Sequence, residues 1–296
     1  MFTIEEKSMK GVILAGGSGT RLAPVTKVLN KHLIPIYDKP MIYYPLSTLL
    51  LSGISDILII TTEDAINHFK KLLEHFNDTK INLFFRVQKE PNGLPDAFNY
   101  VPNEWHNDNL AIILGDNLFY GMGMGVSLKT NFNGSGCQIF AHKVKNPQDY
   151  GVVYFGKNFA PIDIEEKPKN KISEYAIPGF YFFDKSVIER VRDLKPSKRG
   201  ELEITDLIRS YLKDNLLKVK MLERGTVWLD TGTPEGILKA SEFVQVIEDR
   251  QGFKIGSPEE AAYNSDLIGS TELSVILDSM PEGDYRRYLK GLSEKS

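Results

Sequence analysis

A short apolar run, Gly11-Val12-Ile13-Leu14-Ala15, passes without a break into Gly16-Gly17-Ser18-Gly19-Thr20-Arg21, and this junction constrains the fold more than any other segment. An uninterrupted apolar run bounded by glycine is the pattern of a strand buried on both faces, hence a parallel strand covered by helices. Residues 56–61 (DILIIT) and 110–114 (LAIIL) repeat it. Around 40–52 apolar residues recur at helical spacing, and 64–76 reads as a helix with Leu72, Leu73 and Phe76 on one side. Strands alternating with helices imply right-handed βαβ units. The expected fold is therefore α/β, a Rossmann-like mixed, mainly parallel sheet flanked by helices. Ligands of such sheets bind beyond the carboxyl ends of the strands, where the glycine loop falls.

Strand-like segments at 138–144, 151–155, 161–165 and 178–183 form an added β region expected to cover one side of the site. After Gly232 the pattern turns helical at 234–250 and 258–263, so the C-terminal sixty or so residues are expected as helices packed on the core or on a partner subunit. No composition break marks a linker. No internal repeat occurs, and in particular no hexapeptide repeat of the β-helix type.

Composition narrows the function. With 36 basic and 39 acidic residues the net charge is −3, which speaks against a protein that coats nucleic acid or an anionic membrane. Any polyanionic ligand must be held locally. The single cysteine, Cys137, excludes an internal disulfide and a Cys-rich metal site within the chain. The first ten residues are too acidic and polar for a signal peptide, and the most apolar stretch is broken by Gly53 and Asp56. A cytoplasmic protein is expected, with residues 1–8 a dispensable extension before Met9.

Three glycines in four residues let backbone N–H groups approach an anion with no Cβ in the way. Read alone, the segment is in the first place a plain glycine-rich turn. It is not a P-loop, which ends in Gly-Lys-Ser/Thr, and a dinucleotide fingerprint starting at Gly17 would put Leu22 where glycine or alanine belongs. A phosphate loop carrying its own arginine remains, and Lys31 follows ten residues after Arg21. An arginine gives planar, bidentate contact to phosphoryl oxygens, whereas a lysine gives a point charge that can follow a moving phosphate. Asp116 and Asp230 each end an apolar strand-like run. Hard oxygen ligands there suit Mg²⁺, although each aspartate alone also reads as a turn cap. Glu165-Glu166-Lys167 is, by itself, a solvated charge cluster. The five histidines (32, 68, 75, 106 and 142) stand in no Ser/His/Asp pairing context.

Leu14-Ala15-Gly16-Gly17-Ser18-Gly19-Thr20-Arg21-Leu22, Lys31 and the run 35–45 (PIYDKPMIYYP) resemble the sugar-1-phosphate nucleotidyltransferases, and among them the glucose-1-phosphate thymidylyltransferases. The resemblance continues through Gly115-Asp116-Asn117, Tyr150-Gly151-Val152-Val153, Glu165-Glu166-Lys167-Pro168, 199–206 (RGELEITD) and Trp228-Leu229-Asp230-Thr231-Gly232, spanning roughly 10 to 260. It implies a nucleotidyltransferase core over 9–233, with nucleotide-binding and sugar-binding parts, and a helical region over 234–296. It also implies transfer of a thymidylyl group from dTTP to glucose 1-phosphate, giving dTDP-glucose for deoxysugar (rhamnose-type) synthesis.

By match to that family, Arg21 and Lys31 are catalytic. Leu14, Gly16, Gly17, Ser18, Gly19, Thr20, Gln88, Gly93 and Asp116 bind the nucleotide, with Gln88 and Gly93 at the base. Tyr150, Gly151, Glu166, Ile177 and Tyr181 line the hexose pocket, Lys167 and Arg199 contact its phosphate, and Asp116 and Asp230 hold Mg²⁺. Glu201, Glu203 and Asp206 are expected to brace Arg199 or cap the helix at 205–213. A homotetramer with feedback by a downstream dTDP-sugar is implied as well. The sequence departs from the family at His32, where glutamine is common, and at 93–97 (GLPDA), where Gly-Leu-Ala-Gln-Ala is common. UTP or a modified hexose 1-phosphate would keep the reaction and change the substrates. A silent nucleotide-sugar sensor is the alternative of another class. Loss of Arg21, Lys31 or Asp230 would favour it, and all three are present.

Overall fold

The computed structural model describes residues 9–90, 92–121, 132–170 and 173–294. Strand β1 (Met9–Ala15) is followed by a two-residue hairpin of β2 (Pro35–Ile36) and β3 (Lys39–Pro40), then by β4 (Asp56–Thr61), β5 (Asn82–Val87) and β6 (Asn109–Leu114). β1 lies between β4 and β6 and runs parallel to both, with β5 parallel beyond β4. The buried parallel strands are thus the apolar runs of the sequence. β7 (Asn117–Tyr120) leaves this sheet, while β8 (Cys137–Lys143), β9 (Gly151–Phe155), β10 (Pro161–Glu166), β11 (Tyr175–Ala176), β12 (Phe180–Phe183) and β13 (Leu217–Met221) extend it, giving the order β10-β9-β11-β8-β12-β6-β1-β4-β5 with β13 on β8. β12 joins the two parts by pairing antiparallel to both β6 and β8. β14 (Val227–Asp230) pairs antiparallel to β7 in a separate ribbon, with Asp230 opposite Asn117.

Side chains alternate along each strand, so one sheet face takes Ile13, Ile57, Ile59 and Ile113 and the other takes Val12, Leu58, Ile60 and Ile112, all fully buried. The first face packs on helix Tyr43–Leu51 and, through it, on helices Pro258–Asn264, Ser270–Ser279 and Asp284–Ser293, whose Ala262, Leu273, Ile276 and Leu289 share that core. The second is covered by helix Ile204–Lys213 through Leu207, Ile208 and Tyr211. Helix Tyr43–Leu51 is buried almost all round, and Ser47, Thr48 and Ser52 within or just after it satisfy their hydroxyls on carbonyls four residues back. Truncating one of these buried isoleucines to alanine is worth about 2–5 kcal/mol. Among the described residues no helix is long and apolar enough to cross a membrane.

The helix expected over 64–76 is shorter. Ala65 and Ile66 N–H both donate to the Thr62 carbonyl, so the α-helix runs only over Ile66–Leu72 and a 3₁₀ turn, Glu74–Phe76, completes it. Phe69, Leu73 and Phe76 carry the buried face, while Leu72 is only partly covered. The strand expected at 178–183 begins at Phe180, because Pro178 has no N–H and Gly179 N–H donates to the Asn117 side chain. Residues 122–125 of the stretch Gly121-Met122-Gly123-Met124-Gly125, which reads from the sequence as a loop rather than a second phosphate site, lie outside the described residues, as does the proposed extension 1–8.

Candidate active site

β1 delivers the glycine loop to the carboxyl end of the sheet. The Ala15 carbonyl is held by Thr61 Oγ1 (3.1 Å) and Asn30 Nδ2 (3.2 Å), after which Gly17 and Gly19 adopt φ of 94° and 56°. That left-handed backbone suits glycine. Gly17, Ser18 and Thr20 are exposed, Gly16 and Gly19 half-buried, and Leu14 half-buried just beneath. Arg21 follows on a 3₁₀ turn, Thr20–Leu22; a Cβ built on Gly232 would lie 2.8 Å from its Nη2, so the guanidinium rests over that glycine. Lys31 opens a second 3₁₀ turn whose cap is Asn30, its side chain accepting from His32 N–H at 3.0 Å.

Two aspartates far apart in sequence meet here. Gly115 N–H bonds Leu14 O (2.9 Å), placing Asp116 just past the end of β6, and Thr231 bonds the Asp116 carbonyl through N–H (2.9 Å) and Oγ1 (2.8 Å). Asp116 Oδ2 accepts from Lys31 Nζ at 2.5 Å and Oδ1 from Asn117 Nδ2 at 3.1 Å. Burial would raise the Asp116 carboxyl, but the Lys31 ammonium and these hydrogen bonds override it and hold it at about 2. Asp230, whose Oδ1 accepts from Gly232 N–H (2.9 Å), is pushed up by burial and then by the charge of Asp116. A buried and a half-buried carboxylate side by side form a hard oxygen site whose mutual repulsion a divalent cation would relieve. Among the described residues no cluster of three or more metal-ligating side chains occurs, so the protein offers two carboxylates. Mg²⁺ is commonly held by one or two, with phosphate and water supplying the rest, so the donor set fits.

A cleft of about 200 Å³ opens beside this pair. Arg21, Asp116, Tyr150, Gly151, Glu166, Lys167, Ile177, Tyr181 and Asp230 all line it. Burial first, then the charge of Glu203, raises the Glu166 carboxyl. Arg199 is not among the lining residues: its guanidinium is gripped by both carboxylate oxygens of Glu203 (2.7–3.0 Å) and lies 3.8 Å from Glu166 Oε1. Glu203 is thus the brace, while Asp206 pairs with Arg209 at 2.7 Å instead. Asn117 and Trp228, not singled out in the sequence, also line the cleft; Asn117 Oδ1 accepts from Trp228 Nε1 (2.6 Å) and Gly179 N–H (3.1 Å). Their signal was adjacency, since each lies within two residues of a chosen aspartate.

Gln88 and Gly93 are not among the residues that line this cleft. Gln88 follows β5, and a Cβ built on Gly16 would lie 3.3 Å from its Oε1. Gly93 adopts φ of 100°, and a Cβ there would lie 2.1 Å from Leu202 O, so only glycine fits.

A parallel sheet with a glycine loop at its carboxyl end, two cations and two facing carboxylates defines a site for transferring a phosphoryl-linked group. Residues 10–246 match the Nucleotidyl transferase family model, and the chain belongs to this family of transferases. Its similar relatives include glucose-1-phosphate thymidylyltransferases from Mycolicibacterium smegmatis, 48% identical over 97% of this chain and 100% of that protein, and from Neisseria meningitidis, 46% identical over the same shares. Among solved structures, a proposed glucose-1-phosphate thymidylyltransferase from Bacillus anthracis in complex with sucrose is 36% identical, with a TM-score of 0.72 over 80% of this chain and 95% of that one. A UDP-glucose pyrophosphorylase complexed with UDP-glucose, 23% identical at a TM-score of 0.70 over 81% and 99%, shares the fold.

Proposed function

We propose that this chain transfers the thymidylyl group of dTTP to glucose 1-phosphate, releasing pyrophosphate and forming dTDP-glucose for deoxysugar (rhamnose-type) synthesis. The observation that carries the reading is the convergence of Arg21, Lys31, Asp116 and Asp230 at the sheet end in a chain similar over 97% of its length to an enzyme of that name.

The attacking phosphate oxygen of glucose 1-phosphate is already anionic at neutral pH, so no protein nucleophile or strong base is needed. It bonds to the α-phosphorus as the bond from that phosphorus to the β-bridging oxygen breaks. Catalysis then comes from in-line positioning and charge neutralisation. In this reading the N–H groups of Gly16 to Thr20 cradle the triphosphate above Leu14, Arg21 neutralises the departing pyrophosphate, and Lys31 and Lys167 hold the sugar phosphate. Tyr150, Gly151, Glu166, Ile177 and Tyr181 receive the hexose, with Arg199, braced by Glu203, toward its phosphate. Gln88 and Gly93 receive the base. Mg²⁺, held by Asp116 and Asp230, would supply charge neutralisation on the triphosphate. A homotetrameric assembly and feedback by a dTDP-sugar, which the resemblance implies, are further parts of the proposal, as is a cytoplasmic location, read from the polar N-terminus and the interrupted apolar stretch.

Pyrophosphate release over a panel of nucleotides and sugar 1-phosphates tests the reading. The expected result is highest kcat/KM with dTTP and glucose 1-phosphate, and detectable turnover with UTP, because a missing methyl contact is worth only about 1–3 kcal/mol. A UDP-sugar as the main product from equal dTTP and UTP would reassign the nucleotide. Absence of turnover with every pair would leave a sensor.

A further inference from the structure

The Gln88 amide is locked in one orientation by a buried carboxylate. Gln88 Nε2 donates to Asp96 Oδ2 at 2.8 Å, and Asp96 Oδ1 accepts from Asn99 Nδ2 at 3.0 Å. Asp96 is only 8% exposed, in the 3₁₀ segment Leu94–Tyr100 that begins after Gly93. A carboxylate accepts and never donates when ionised, so Gln88 can meet it only with its nitrogen. The carbonyl oxygen Oε1 must then face the other way, toward the glycine loop, as its approach to Gly16 records.

We infer that Asp96 is a positioning residue for nucleotide choice: by holding Gln88 Nε2 it presents Oε1, an obligate acceptor, to the base. The inference rests on the proposal that Gln88 meets the base. An acceptor facing the base edge pairs with the N3–H of thymine or uracil and opposes the unprotonated N3 of cytosine. A free glutamine could answer cytosine by turning its amide over. Here that rotation would set Oε1 against a buried carboxylate, two acceptors with no proton between them. A neutral amide at position 96, which can itself turn, would impose no such order. Asp96 touches no reacting atom and acts through Gln88.

The test compares kcat and KM for dTTP and dCTP, with glucose 1-phosphate, in the full-length enzyme and in Asp96→Asn. The isosteric amide keeps the volume and frees Gln88 to rotate. The expected result is a fall of about tenfold in the ratio of kcat/KM for dTTP over dCTP, the loss for dTTP appearing in KM rather than kcat. In a Gln88→Ala background the same change should leave the ratio unmoved. Asn99→Ala, which frees only one Asp96 oxygen, should lower the ratio by a smaller factor and covers the case in which Asp96→Asn does not fold. An unchanged ratio in foldable variants, or an equal fall for both nucleotides, overturns the inference. A parent enzyme inactive with dTTP overturns the functional reading instead, so the two failures are distinct.

Discussion

Lys31 Nζ and Asp116 Oδ2 are 2.5 Å apart, joining 85 residues of sequence in one largely buried ion pair. The cation proposed for a phosphate and the carboxylate proposed for a metal thus neutralise each other. Removing either member strands the other, which in buried pairs costs about 3–5 kcal/mol.

Asp116→Asn and Asp230→Asn should retain the fold and lose turnover strongly. EDTA should silence the parent enzyme, with activity returning on addition of Mg²⁺. Circular dichroism beside pyrophosphate release checks both, and full activity in EDTA would remove the metal assignment.

Arg21→Ala should reduce kcat by about 10²–10³ with little change in KM for the sugar phosphate, since its proposed contact is to the leaving pyrophosphate. Lys31→Ala should also raise that KM. Steady-state kinetics varying each substrate separates the two; near-parental values for both would reverse the assigned roles.

His32 is fully buried beside Lys31, and burial first, then that ammonium, pushes its pKa from 6.5 down to about 3. A depressed folded-state value means the unfolded chain takes up the proton first. The stability tied to the neutral ring is therefore present above about pH 6.5 and lost as pH falls toward 3, a loss of several kcal/mol at the acid end. His32→Gln should show a shallower decline of Tm between pH 6.5 and 4. Parallel Tm-against-pH curves would show that the ring is not buried neutral.

Gly93→Ala should destabilise by about 3 kcal/mol or more, because the methyl meets Leu202 O at 2.1 Å and the backbone stays left-handed. Denaturant titration measures it. A change below about 0.5 kcal/mol would mean that the Gly93–Leu202 contact yields freely.

The central sheet was legible because burial on both faces writes itself as an unbroken apolar run, as in 56–61, whose bounds are those of the strand. β5 and β13 were missed for the complementary reason: NLFFRV and LKVKM carry polar residues on partly exposed edges, where neighbours rather than composition select the strand. Resemblance singled out the aspartates, the lysines and the cleft residues one by one. The Glu203 brace on Arg199, four residues away, was expected, but nothing in the sequence revealed that Asp116 pairs with Lys31 or that Asp96 holds Gln88, since these are contacts between side chains distant in, or differently used along, the chain.

The β7–β14 ribbon places Asp230 opposite Asn117, the residue after Asp116, and so helps to set the two acidic groups side by side. Because strand side chains invert with every residue, adding or deleting one residue within β14 ahead of Asp230 would turn that carboxylate away. Evolution could therefore exchange side chains along this ribbon more freely than it could change the ribbon's length, because the spacing of the acidic pair depends on the count of residues.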